Sequence, residues 1–181
     1  MPDLPASLIQ KIATKTKNLD KTAHKIIDTN EYKAMLKQVQ KNMDQLSQRQ
    51  FIDTVFALGK LHKKSDTLLE KTSFFHYFMG DILKEVNKRV SSLSDCLEIA
   101  YLVKGLSNLS KKISADPSLI TYEQQVRDSL LTHLNSRHDI TRTFDPYSLS
   151  KMLRYLLTFN DSSDGAIELY KSFALLLTQI I

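Results

Sequence analysis

The chain has 181 residues, 42% of them hydrophobic, with a net charge of +5 and a sequence pI near 9.2. That apolar content supplies a core for one domain or a short array of helix pairs, and only four Gly and four Pro argue against an all-β or disordered chain. Cys96 is the sole cysteine, which excludes an intramolecular disulfide and a cysteine-cluster zinc site, and no apolar run approaches the ~20 residues of a membrane span.

The charge is uneven. Residues 1–72 carry 13 Lys and Arg against 8 Asp and Glu, whereas residues 73–181 carry 12 of each. A basic first half fits a polyanionic partner such as nucleic acid, or serves solubility alone. Residues 1–28 read as a basic arm, with Lys11, Lys15, Lys17, Lys21 and Lys25, a short helix over 6–18 and a turn over 23–27. Cationic and acid-poor, the arm resembles an organelle transit peptide, although Arg is missing from it.

Asp28-Thr29-Asn30 is a cap cluster, and a helix follows from about Glu31 to Gln45 with Met35, Leu36, Val39 and Met43 on its apolar face. A second helix over 47–63 starts at Ser47 and carries Phe51, Ile52, Val55, Leu58 and Leu61. Polar residues 64–72, with Leu68 and Leu69 as anchors, read as a link. The next helix opens near Ser73 with a broad face of Phe74, Phe75, Phe78, Met79, Ile82, Leu83, Val86 and Val90.

The pattern then repeats. A shift of 47 residues places Met35 on Ile82, Leu36 on Leu83, Val39 on Val86, Met43 on Val90 and Leu46-Ser47 on Leu93-Ser94. One extra residue follows, and at a shift of 48 Ala57-Leu58 meets Gly105-Leu106 and Leu61 meets Leu109. A third pair begins after the helix breaker Asp116-Pro117, with Tyr122, Val126, Leu130, Leu131 and Leu134 in its first helix and a longer loop over 136–143. Asp145-Pro146 then starts its second helix, Asp as cap and Pro at the first helical position. A terminal helix over 164–181 looks like half of a further pair; its apolar Phe173, Leu176, Leu177, Ile180 and Ile181 are expected to form a protein interface. The expected fold is therefore all-α: a right-handed α-solenoid of three stacked hairpins (about 31–72, 73–115 and 118–162) plus a terminal helix, forming a helical-repeat domain over 29–181.

The stretch Leu46-Ser47-Gln48-Arg49-Gln50-Phe51-Ile52-Asp53-Thr54-Val55-Phe56-Ala57-Leu58-Gly59-Lys60-Leu61 resembles the second helix of the octotricopeptide-type repeat. That repeat is shared by organellar RNA-binding proteins and by the leucine-rich region of FAST-kinase-like and RAP-domain proteins. Phe56 stands where the family places Trp, and Ala57-Leu58 match directly. The third copy supplies the family's proline as Phe144-Asp145-Pro146, with Leu149, Leu153 and Tyr155-Leu156 following. The second copy is poorer, with Val103-Lys104-Gly105 at the aromatic-Ala step, and the repeat spacing of 47 to 51 residues exceeds the family's. The likeness spans about 31–160 and implies the repeat scaffold, RNA as ligand and a mitochondrion or plastid as location. It implies no catalysis.

Repeated polar positions are the natural binding candidates. Under the 47-residue shift Lys37 meets Lys84 and Lys41 meets Lys88, and Lys33, Lys37 and Lys41 line one side of their helix. Stacked first helices would set these lysines in a ladder for RNA phosphates; the plain alternative is a solvated face. Arg49, Lys60, Lys63 and Lys64 are further RNA-binding candidates, while Lys111 and Lys112 are accounted for by the helix C-terminus they sit near. Tyr32, Tyr77 and Tyr101 could stack on bases, or else pack at helix margins. His24, His62, His76, His133 and His138 lack zinc spacing, and no glycine-rich phosphate loop occurs. The expectation is a non-catalytic protein without metal or cofactor that binds RNA beside other subunits of an organellar machine, such as a mitoribosomal accessory subunit or RNA-processing factor. A protein-only scaffold in a large organellar complex is the alternative.

Overall fold

The computed structural model describes residues 27, 29–63, 74–114, 116–137, 143, 145–157, 167, 171 and 174, with side chains 111, 151, 153, 154, 156 and 157 left aside. Residues 1–26 and 28 of the expected arm, the expected link over 64–72 with Lys64, and Phe173, Leu176, Leu177, Ile180 and Ile181 of the expected terminal interface lie outside the described residues. Six α-helices have bounds among the described residues: α1 (Asn30–Lys41), α2 (Gln48–His62), α3 (Phe74–Arg89), α4 (Cys96–Ile113), α5 (Pro117–Ser136) and α6 (Pro146–Leu157). The described residues contain no strand, so the protein is all-α over this span.

Local chemistry sets each boundary. Thr29 caps α1 by accepting the Tyr32 N–H, and the helix stops at Lys41 rather than at Gln45 because Asn42 turns its own N–H and side chain back to the Gln38 carbonyl. A 3-10 turn at Met43–Gln45 follows. Ser47 and Gln50 then form a reciprocal capping box that opens α2, at 3.0 and 3.3 Å. The second copy has the same parts: α3, a 3-10 turn at Val90–Ser92, and α4. Its cap is Asp95 instead of Ser94, so the one-residue insertion falls at the cap itself. Asp116 and Asp145 open α5 and α6 in the same manner.

Burial follows the repeat. Leu36, Val39, Met43 and Leu46 are buried, as are their 47-shifted counterparts Leu83, Val86, Val90 and Leu93. Beyond the insertion Phe51, Val55, Leu58 and Leu61 correspond to buried Ile99, Val103, Leu106 and Leu109. Met35 departs, half-buried where Ile82 is fully enclosed, and so does Ala100, half-buried where Ile52 is enclosed. Cys96 is half-buried at the start of α4, its Sγ 3.5 Å from the Thr143 carbonyl.

The helices lie closest along two rows: α1 on α3 on α5, and α2 on α4 on α6. One hydrophobic cluster draws on both rows. Equivalent contacts tie each step of the first row. Gln40 of α1 donates to Asp81 of α3, and Ser129 of α5 donates to Asn87 of α3. Arg89 donates to the carbonyls of Leu46 and Met43 at 2.8 and 3.0 Å; His133 Nε2 donates to Leu93 at 2.7 Å, one repeat on. These groups give the Leu46 and Leu93 carbonyls, just past the 3-10 turns, a donor, and Arg89 adds a second one to the Met43 carbonyl that already accepts the Leu46 N–H.

The second row is tighter. A Cβ on Gly59 would press on the carbonyl oxygen of Gly105 and lie 2.9 Å from its Cα; a Cβ on Gly105 would lie 2.8 Å from the Val55 oxygen. Here α2 and α4 touch backbone to backbone. Between the rows, the Tyr32 hydroxyl meets His62 Nε2 at 3.0 Å, and the His62 ring stacks on Phe75 at 4.0 Å. Farther along, Tyr155 of α6 donates to buried Glu123 of α5 at 2.7 Å, and Arg127 donates to the same carboxylate at 3.1 Å. Burial pushes the Glu123 carboxyl up from its ordinary range, with the Tyr155 and Arg127 contacts opposing it.

Two measurements check this packing. Gly105→Ala meets backbone that cannot step aside and is expected to cost about 1–3 kcal/mol, despite alanine's helix preference. Gly80→Ala, whose Cβ would rest at an ordinary 3.7 Å from Leu119, is expected to gain up to about 1 kcal/mol in the same urea titration. The second measurement concerns acid. Burial first, and the Lys112 charge second, hold His62 down to about 3, so it stays neutral in the folded chain while the unfolded chain takes a proton below pH 6.5. Stability should therefore fall between pH 6.5 and about 3, by roughly 2–3 kcal/mol at pH 4.5, and His62→Gln should lack that part of the loss.

Candidate nucleic-acid interface

Lys33, Lys37 and Lys41 are exposed on α1, and Lys84 and Lys88 are exposed on the adjoining α3. Two of these lysines hold the repeats together. Lys37 Nζ lies 5.6 Å from the centroid of Phe74, the first residue of α3, and Lys84 Nζ lies 4.9 Å from Tyr122 of α5. The repeated lysine thus meets a ring of the next first helix at both steps, a contact worth about 0.5–1 kcal/mol at an exposed site.

Carboxylates accompany the α3 lysines. Lys84 is 3.7 Å from Asp81, and Lys88 is 3.1 Å from Glu85. Partial burial raises the Glu85 carboxyl, but hydrogen bonds from Arg89 and Lys88 outweigh it and hold the group below its ordinary range. Phosphate would compete with these partners. The exposed residues of α5 include Gln124, Gln125 and Asp128 but no lysine, so the first-row ladder has two rungs.

A different surface gathers cations with rings. On α2 and its C-cap, Arg49, Asp53, Phe56, Lys60 and Lys63 recur at steps of four and three, which is one helical stripe. The corresponding stripe of α4 is Leu97, Tyr101, Lys104 and Asn108, and α6 begins beside it with Tyr147. Because the second-row helices touch, these stripes merge. Phe56 meets Tyr101 edge-on at 5.1 Å, and Arg49 lies 5.4 Å from the Tyr101 centroid. Lys60 and Lys104 each stand 5.5 Å from Phe56; Lys104 also lies 5.6 Å from the Tyr147 centroid and 3.4 Å from its hydroxyl. Arg49 pairs with Asp53 at 3.2 Å yet remains 54% exposed.

The rings named from sequence divide. Tyr32 is enclosed at 1% exposure against His62, so it packs instead of presenting a face to a base. Tyr77 is 63% exposed beside His76, and Tyr101 is 36% exposed in the second-row cluster. Sequence reasoning missed Phe56, Lys104 and Tyr147 as surface partners. Their signal was the recurrence of an aromatic or cation near the start and middle of each second helix.

One trio has the residue types of acyl transfer. His76 Nδ1 lies 2.7 Å from Asp116 Oδ2, and His76 Nε2 lies 3.4 Å from Ser118 Oγ. Ser118 gives its proton to Asp116 Oδ1 at 2.9 Å, however, and the N–H groups of Ser118, Leu119 and Ile120 all go to Asp116. These groups start α5. Among the described residues no cluster of three metal-ligating side chains occurs, and no helix is long and apolar enough to cross a membrane. No family model, curated protein or solved structure matches the chain.

The Lys37–Phe74 contact predicts a measurable coupling. A double-mutant cycle of Lys37→Ala with Phe74→Leu, read by urea unfolding, is expected to give about 0.5–1 kcal/mol.

Proposed function

We propose that the chain is a right-handed α-solenoid of the octotricopeptide type and binds RNA without catalysis inside an organellar, most simply mitochondrial, gene-expression machine. The observation that carries this reading is the alignment of equivalent helices into rows, which brings basic side chains of successive repeats side by side. A row of that kind follows an extended polyanion, with each cation adding affinity that salt weakens. Lys33, Lys37, Lys41, Lys84 and Lys88 offer one such edge, and Arg49, Lys60, Lys63 and Lys104 offer another. The organellar assignment rests on the repeat resemblance and on the lysine-rich, acid-poor residues 1–27.

One observation favours a protein-only scaffold instead. Asp81 and Glu85 stand beside Lys84 and Lys88, which leaves the α3 edge nearly balanced in charge and suited to a mixed-charge protein surface.

Salt separates the two readings. If four or more phosphates are engaged, log K for single-stranded RNA should fall with log salt at a slope of about −3 or steeper. Absence of RNA affinity at low salt, or a flat slope, overturns the RNA reading in favour of the scaffold.

A further inference from the structure

Resting on the RNA reading above, we infer that the surface taking the ligand is the outer face of α2, α4 and the start of α6, and that its ligand is an unpaired single strand whose bases stack on Tyr101 and Tyr147.

Exposed rings, and not the balance of charge, distinguish this face from the α1–α3 edge. The first-row lysines stand among Asp81 and Glu85, and the rings beneath them, Phe74 and Tyr122, are half-buried. On the second row, Arg49, Lys60, Lys63 and Lys104 share the surface with the carboxylate of Asp53, and with Glu98 and Asp145 near its margin. Tyr147 is 58% exposed at the same surface. The α2 stripe therefore presents cations along a line, and the rings of α4 and α6 stand beside it.

Single strands are held by that combination. Phosphates follow the cations, while base faces take the aromatic rings whatever their sequence. A duplex keeps its bases stacked inside and gains only the phosphate contacts, so discrimination between the two forms isolates the rings. Arg49 and Lys104 already lie over the rings they would share with a base, which fixes ring orientation before binding. The arrangement spans three helices and more than ninety residues of chain from Arg49 to Tyr147, and the register of the second row is what assembles it.

The test uses the full chain, a labelled oligouridine and a hairpin duplex of equal charge, with affinity read by fluorescence anisotropy. Trp is absent and the chain has seven tyrosines, so the difference in tyrosine quenching between the parent and the alanine pair reports stacking on Tyr101 and Tyr147. The oligouridine is expected to bind more tightly than the duplex and to quench tyrosine emission. Tyr101→Ala with Tyr147→Ala should weaken the oligouridine by about tenfold per ring, leave the duplex unchanged and abolish the quenching, whereas Tyr101→Phe with Tyr147→Phe should bind as the parent does. A variant of the first edge (Lys41→Gln with Lys88→Gln, which spares the Lys37–Phe74 and Lys84–Tyr122 contacts) should lose less oligouridine affinity than the alanine pair and keep the quenching. Equal binding of duplex and oligouridine, or full affinity in the alanine pair, overturns the inference. Loss only in the lysine variant leaves RNA binding standing and moves it to the other edge. No affinity for either probe overturns both readings. Unchanged melting of the phenylalanine pair, set beside that of the alanine pair, shows whether a loss reflects stacking or folding.

Discussion

The backbone contact between α2 and α4 is the constraint on which the second row depends. Gly59 and Gly105 remove the two Cβ atoms that would hold these helices apart, and each gives up about 1 kcal/mol of helix preference relative to alanine in doing so. The return is close van der Waals packing along the helices and a fixed mutual rotation. That rotation determines which stripe of α2 meets which stripe of α4. Phe56 reaches Tyr101, and Arg49 lies over the same ring, because the two backbones touch where they do.

The first row is held differently. Side-chain groups bridge its helices, and they recur from one repeat to the next with changed chemistry: Gln40 to Asp81 becomes Ser129 to Asn87, and Arg89 on the Leu46 carbonyl becomes His133 on that of Leu93. The place that is bridged is kept, while the residue type, its position along the helix and the direction of donation change. A carbonyl just past a 3-10 turn needs a donor at that place, and arginine or histidine can supply it. Such donors are buried or half-buried and belong to the packing of the repeats, so a positive charge such as Arg89 is no measure of nucleic-acid affinity.

The same distinction separates the two basic edges. A lysine over an aromatic ring of the next helix has a structural occupation, and Lys37 and Lys84 both have one. Their recurrence in the sequence follows from that role without any ligand. On the second row the occupation and the exposure coincide: Tyr101 and Tyr147 are oriented by cations and still reach solvent. Orientation without enclosure is the condition under which a ring can receive a base.

Much of this was legible in the sequence. Caps at Thr29, Ser47 and Asp145, the apolar stripes, the 47-residue recurrence and the single insertion before α4 all follow from local rules, because hydrogen bonds at a helix start and burial of an apolar stripe depend on residues a few positions apart. Tertiary structure decided the rest. Periodicity assigns a side chain to a face of its own helix but leaves open which helix that face meets and at what rotation. Tyr32 reads the same as Tyr101 by spacing; one is sealed against His62 and the other reaches solvent beside Phe56. Likewise the isolated glycines at 59 and 105 carry no local signal of a crossing, since their meaning lies in each other, forty-six residues apart. Contacts between distant helices arise from packing of whole surfaces, and that sum is made only when the chain is folded.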